Sequence, residues 1–123
     1  MSVEVALEPE LDRLEALWSD GLADAYQAYL PGVDQPKLAL AAALIEVGVR
    51  LQGLGGRAAP PTTLLVGDLC LARGSRILAD HAPLVVQVAF ARAIESLSSA
   101  AAAEEPAPAS TRELLLQSLG AAR

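Results

Sequence analysis

Aromatic side chains are scarce in this chain of 123 residues. They make up 3% of it, as one Trp, two Tyr and one Phe. The core must therefore be filled by aliphatics, and 53% of the residues are hydrophobic, with Leu, Ala and Val dominant. Ala and Leu are strong helix formers. The lone cysteine, Cys70, excludes a disulfide framework within the chain and a cysteine-rich zinc site, and the lone histidine, His81, excludes a His-rich metal site. Basic residues are outnumbered, 9 against 15 acidic, for a net charge of −6. A nucleic-acid binder needs a basic face to neutralise phosphates, and this acidic balance argues against one. The most apolar run, Leu38 to Leu51, contains Glu46 and falls short of the roughly 20 residues that cross a bilayer. The acidic start MSVEVALEPE lacks the charged-then-apolar pattern of a secretory signal. These absences give the expectation of a cytoplasmic chain with no nucleic-acid partner and no transmembrane segment.

Strand-like alternation and internal repeats are also missing, and what is present is helical spacing. Leu11, Leu14, Trp18, Leu22, Ala25 and Tyr29 recur at steps of three and four, which predicts a first helix from about Pro9 to Leu30, stopped by Pro31-Gly32. Asp34 is the candidate cap of a second helix with Pro36 in its first turn. That helix, to about Gln52, is apolar around its circumference except for Glu46 and Arg50, which are four apart and able to pair. Such a helix belongs at the centre of its domain or under another chain. A third helix is predicted from Pro61 or Thr62 to Asp80, and a fourth from Ala82 or Pro83 to about Ala103, with Val86, Phe90, Ala93, Ile94 and Leu97 on one side. EEPAPA, 104–109, is a short linker. Ser110 and Glu113 have capping-box spacing ahead of a last helix reaching about 121. The expected fold is a single all-α domain of about five helices over 1–123, its core within 9–103.

Few residues offer chemistry. GLGG, 53–56, lacks the preceding strand of a dinucleotide fingerprint and the Lys-Ser/Thr of a P-loop, so it reads as a helix connection. Asp20 and Asp24, four apart, have the spacing to hold magnesium on a diphosphate, but on an exposed helix face such a pair is usually just solvated. Arg73 and Arg76 have the spacing to grip a diphosphate or a partner's carboxylates, but the favoured reading is the solvated edge of an amphipathic helix. His81 is placed to favour a helix C-terminus, and Cys70 to fill core. No catalytic residue and no metal ligand set emerges, so the chain alone is not expected to be an enzyme.

The stretch LLVGDLCLARGSRILAD, 64–80, raises a question. It places Gly67, Asp68 and Gly74 inside an amphipathic helix, where each glycine costs about 1 kcal/mol relative to alanine. Through Leu65, Gly67, Asp68, Leu69, Leu71, Ala72, Arg73, Leu78 and Ala79 it resembles the "GD" helix of trans-polyprenyl diphosphate synthases. An apolar helix before it and AFARAIESLSSA, 89–100, after it extend the likeness over roughly 36–103. Catalytic members of that family hold magnesium with an aspartate-rich DDxxD motif between the apolar helix and the GD helix. LQGLGGRAAPP stands there in this chain, without an acidic residue, and no length remains for the second such motif. The chain therefore resembles the small, non-catalytic subunit of heterodimeric long-chain synthases of the hexaprenyl and heptaprenyl type.

The resemblance implies a truncated isoprenoid-synthase fold and a DDxxD-bearing large subunit as partner. It also implies magnesium in that partner rather than here, a prenyl chain at the shared interface, and a part in setting product length. The candidate interface and tunnel-wall residues are Leu65, Gly67, Asp68, Leu69, Ala72, Arg73, Gly74, Arg76, Val86 and Phe90. Gly67 and Gly74, seven apart on one face, can admit another helix closely, whether from a partner or from this chain. Asp68, read as near the helix start, is favoured there by the macrodipole and can bond loop donors or a partner's arginine. The alternatives are a helical interaction or regulatory module, and a homodimer that binds a lipid or isoprenoid without transferring it.

Overall fold

The apolar run at 38–51 becomes the central element of a helical bundle. In the computed structural model, which describes residues 21–53, 61–107 and 109–122, five α-helices and no strand are found among the described residues. They are α1 (Ala23–Tyr29), α2 (Pro36–Leu51), α3 (Pro61–His81), α4 (Leu84–Ala102) and α5 (Thr111–Leu119), with single 3-10 turns at Leu30–Gly32 and Gly120–Ala122. The expected first helix is seen only from α1 onward; Pro9 to Asp20, and with them Asp20 of the Asp20/Asp24 pair, lie outside the described residues, as do Leu54 to Pro60.

Helix α2 is buried from Ala41 through Ile45 and again over Val47, Gly48 and Val49. It packs against α1 and α5 and, most extensively, along α3. The composition explains the burial: four alanines and a glycine give α2 a thin surface that neighbours on several sides approach closely. Its cap differs from expectation. Gln35, not Asp34, is the N-cap; its backbone is extended, and no side chain caps the helix. Pro36 alone marks the start, its missing N–H being one that no helix satisfies internally. At the other end of the chain Ser110 is the N-cap of α5 and accepts from the Glu113 amide at 3.1 Å, half of the capping box that the spacing predicts.

Helix α4 stands differently. Only one stripe, Val86, Phe90, Ala93 and Leu97, is buried. It packs chiefly with α5 and the final 3-10 turn, and touches α3 at few points. By length and composition α4 is the one described helix apolar enough to cross a membrane, although 22% of the window concerned is buried within the bundle. It ends in Ala103, and Glu104 follows at φ 56 while its amide and that of Glu105 return to Ala101 and Ala100. This is a Schellman-type stop with a non-glycine residue in the left-handed position.

Candidate functional site

The two faces of α3 answer the question posed by its glycines. One face, Gly67, Cys70, Gly74 and Leu78, is buried against α2. A methyl on Gly74 would lie 2.7 Å from Ile45 Cγ1 and 2.8 Å from the Ala41 carbonyl oxygen. From the other side, a methyl on Gly48 would lie 2.7 Å from Leu71 Cγ and 3.0 Å from the Gly67 carbonyl oxygen. Three glycines thus bring the α2 and α3 backbones together. Of the two origins open for the helix that approaches Gly67 and Gly74, the one seen is internal: α2 occupies the space beside both. Burial pushes the Cys70 thiol up in pKa, partly offset by the nearby charge of Arg50.

Asp68 is the eighth residue of α3, beyond the first turn where the macrodipole is felt. Its role is instead set by Gln52, the C-cap of α2. The Gln52 amide Nε2 donates to Asp68 Oδ1 at 2.6 Å and to the Leu64 carbonyl at 2.9 Å. A methyl on Gly67 would lie 3.1 Å from that Nε2 and 3.2 Å from Leu51 Cβ. Gly67 and Asp68 act together, one leaving room for Gln52 and the other accepting a hydrogen bond from its amide.

The opposite face of α3 carries Leu65, Leu69, Ala72 and Arg76 at steps of four, three and four. Leu65 is 51% exposed, Leu69 half-buried, and Ala72 and Arg76 exposed. Arg76 Nε meets Asp80 Oδ2 at 3.1 Å along the helix, while Arg73 is half-buried. Beside this face runs an open groove of about 420 Å³ between α3 and α4, with Ile45 and Phe90 in its apolar wall and Ser75 and Gln87 as its polar members. Val86 and Phe90, both 2% exposed, belong to the core of this chain. Phe90 reaches the groove from below.

A polar cluster joins α1, α2 and α5. Arg112 grips Glu46 with both arms of its guanidinium, Nε to Oε1 at 2.9 Å and Nη2 to Oε2 at 3.0 Å, and Nη2 lies 3.3 Å from Asp24 Oδ2. The fully buried Tyr29 donates its hydroxyl to Glu46 Oε1 at 2.8 Å, and the Arg112 guanidinium lies 6.0 Å from the Tyr29 ring centroid. Burial pushes the Tyr29 phenol up in pKa, with Glu46 adding to the shift and Arg112 opposing it. The hydrogen bonds that Arg112 donates to Glu46 hold it in its charged form. Glu46 therefore pairs with a residue 66 positions away, and Arg50, four along the helix, lies elsewhere, over Gly21. The signal available in the sequence was Glu46 itself, since a carboxylate on so apolar a helix requires partners.

Among the described residues, no three or more of His, Cys, Asp and Glu come together as a metal-binding group. His81 closes α3 as an exposed residue of its last turn. The arrangement offers surfaces, not reacting groups: an outer α3 face, a groove beside it, and a latch that holds α5. Compared with protein-family models, curated proteins and solved structures, the chain has no match.

Proposed function

We propose that this chain is the non-catalytic subunit of a heterodimeric long-chain trans-prenyl diphosphate synthase. The observation that carries the reading is the GD-helix sequence at 64–80, lying on a helix whose outer side exposes Leu65, Ala72 and Arg76, with Leu69 half-buried among them. Head-to-tail addition of isopentenyl diphosphate would belong to a partner with two aspartate-rich motifs, whose magnesium stabilises the departing diphosphate. This chain would contribute a docking face on α3, and through the groove beside it an apolar stretch of the wall that bounds the growing prenyl chain.

The decisive experiment is a tagged pull-down from the native host, with the captured protein identified by mass spectrometry, followed by prenyl-transfer assays of each chain alone and of the pair. Activity that needs both chains supports the reading. Capture of only this chain or of an unrelated protein sinks it. In the active pair, Ala72→Phe should shift the product to a shorter chain, because a large ring replaces a methyl in the wall; an unchanged product would remove Ala72 from it. The open groove favours one alternative, an isoprenoid- or lipid-binding homodimer, which predicts prenyl-lipid binding by this chain with no transferase partner.

A further inference from the structure

The outer face of α4 is apolar, and within this chain little covers it. Leu84, Val85 and Val88 are 72%, 50% and 40% exposed, on a helix whose 18-residue window has a mean hydropathy of 1.3. An exposed apolar helix face of this length marks an interaction site. Its charges say what kind. Arg92 and Glu95 are the only charged residues of α4, they sit near its midpoint, and both are exposed.

We propose that this face is covered by α4 of a second copy of the chain, lying antiparallel across a two-fold axis near residue 93. Leu84, Val88, Ala91, Glu95, Ser98 and Ala102 follow one another at alternating steps of four and three, the spacing of a helix–helix seam. Laid antiparallel so that the two helices overlap from end to end, Leu84 faces Ala102 of the second copy and Val88 faces its Ser98. Ala91 then faces Glu95 of the second copy, and Arg92 falls one residue from that same Glu95. The symmetry repeats each contact, so both charges on each helix meet an opposite one. A parallel pairing would set Arg92 against Arg92 and Glu95 against Glu95. A bilayer would bury both charges near mid-membrane, where hydrocarbon disfavours them. Small side chains at Ala91, Ser98 and Ala102 let the helices approach. The seam lies on α4 and borders the groove assigned to the prenyl chain only at Ala91, while the α3 docking face lies elsewhere, so self-association is tested whether or not that assignment holds.

The test is sedimentation equilibrium of the full chain with charge-reversed variants. The wild-type chain should approach twice its mass of 12.7 kDa as concentration rises. Arg92→Glu alone and Glu95→Arg alone each place like charges together and should weaken the dimer tenfold or more. An equimolar mixture of those two variants should recover it as a heterodimer, and so should the double variant as a homodimer. Both positions are exposed, and circular dichroism would verify that each variant keeps its helices. A wild-type chain that stays monomeric at every concentration overturns the proposal, as does a dimer indifferent to the reversals. A monomer that floats with phosphatidylcholine–phosphatidylglycerol vesicles overturns it too, and gives the face to a bilayer.

Discussion

At the scale of single residues, the glycines of α3 are held by contact geometry against their own helix propensity. Replacing Gly74 by Ala would gain about 1 kcal/mol of helix propensity. It would also press a methyl against the Ala41 carbonyl oxygen, which belongs to backbone and cannot move aside. Overpacking of this kind costs typically about 1–3 kcal/mol. Gly74→Ala should therefore lower stability by up to about 2 kcal/mol in urea unfolding. A stabilised variant would mean that the α2–α3 contact is looser than described. Tyr29 supplies a second expectation. Its phenol holds its proton more tightly folded than unfolded, so it makes no pH-dependent contribution below the ordinary tyrosine value of 10.0. Above that, the unfolded chain ionises first and stability falls. Tyr29→Phe should cost about 1 kcal/mol at neutral pH through the lost hydrogen bond, and should flatten the decline above pH 10. Thermal melts from pH 7 to 11 would read both effects. That Gly67 and Gly74 face a close helix contact was legible from their spacing. Which helix makes the contact was not, because periodicity assigns residues to a shared face and says nothing of what lies opposite.

Among the elements, α5 depends most on one side chain. It is a short helix joined through 103–110, it reaches α2 by the Arg112 fork, and its Leu115 and Leu119 are buried in the core. Arg112→Ala leaves Glu46, whose side chain is only 18% exposed, with Tyr29 as its remaining donor among the bonds described. A charged hydrogen bond of this kind is worth about 1.5–3 kcal/mol when dry. Because Arg112 is itself 38% exposed, solvent screening brings the expected loss to about 1–2 kcal/mol. The loss should appear first as faster hydrogen exchange in α5, with α3 unaffected. Equal effects on all helices would mean that α5 does not open separately. The position of α2 at the centre followed from its composition, as did the Ser110 cap from its spacing. The orientation of α4 did not. Val86 and Phe90 form a clean stripe, but α4 is apolar on its other side as well, so hydrophobicity alone could not say which stripe points inward.

For the molecule as a whole, cohesion is uneven. The α1–α2–α3 part is closed by alanines and glycines at backbone distance, whereas α4 is tied in largely through α5. In dilute solution, where the chain is alone, the slowest-exchanging amides should lie in α2 and the middle of α3. Those of α4 should exchange faster despite its 19 residues. Mass spectrometry of exchange-labelled peptides would read this order, and slow exchange in α4 at high dilution would contradict the present account of its packing. The overall class, an all-α bundle, was legible from the excess of Ala and Leu and the absence of alternation. The latch between Glu46 and Arg112 was not, since nothing local links residues so distant in sequence.

Gln52 has a consequence for how this chain tolerates change. By holding the last turn of α2 to Leu64 and Asp68, it fixes both ends of the connection between α2 and α3. A segment anchored at both ends can be lengthened for little more than the entropy of a larger ring, about 0.6 kcal/mol per doubling of its length. The connection between Gln52 and Leu64 is thus an insertion point, open to grafting a longer loop onto a scaffold that keeps its shape.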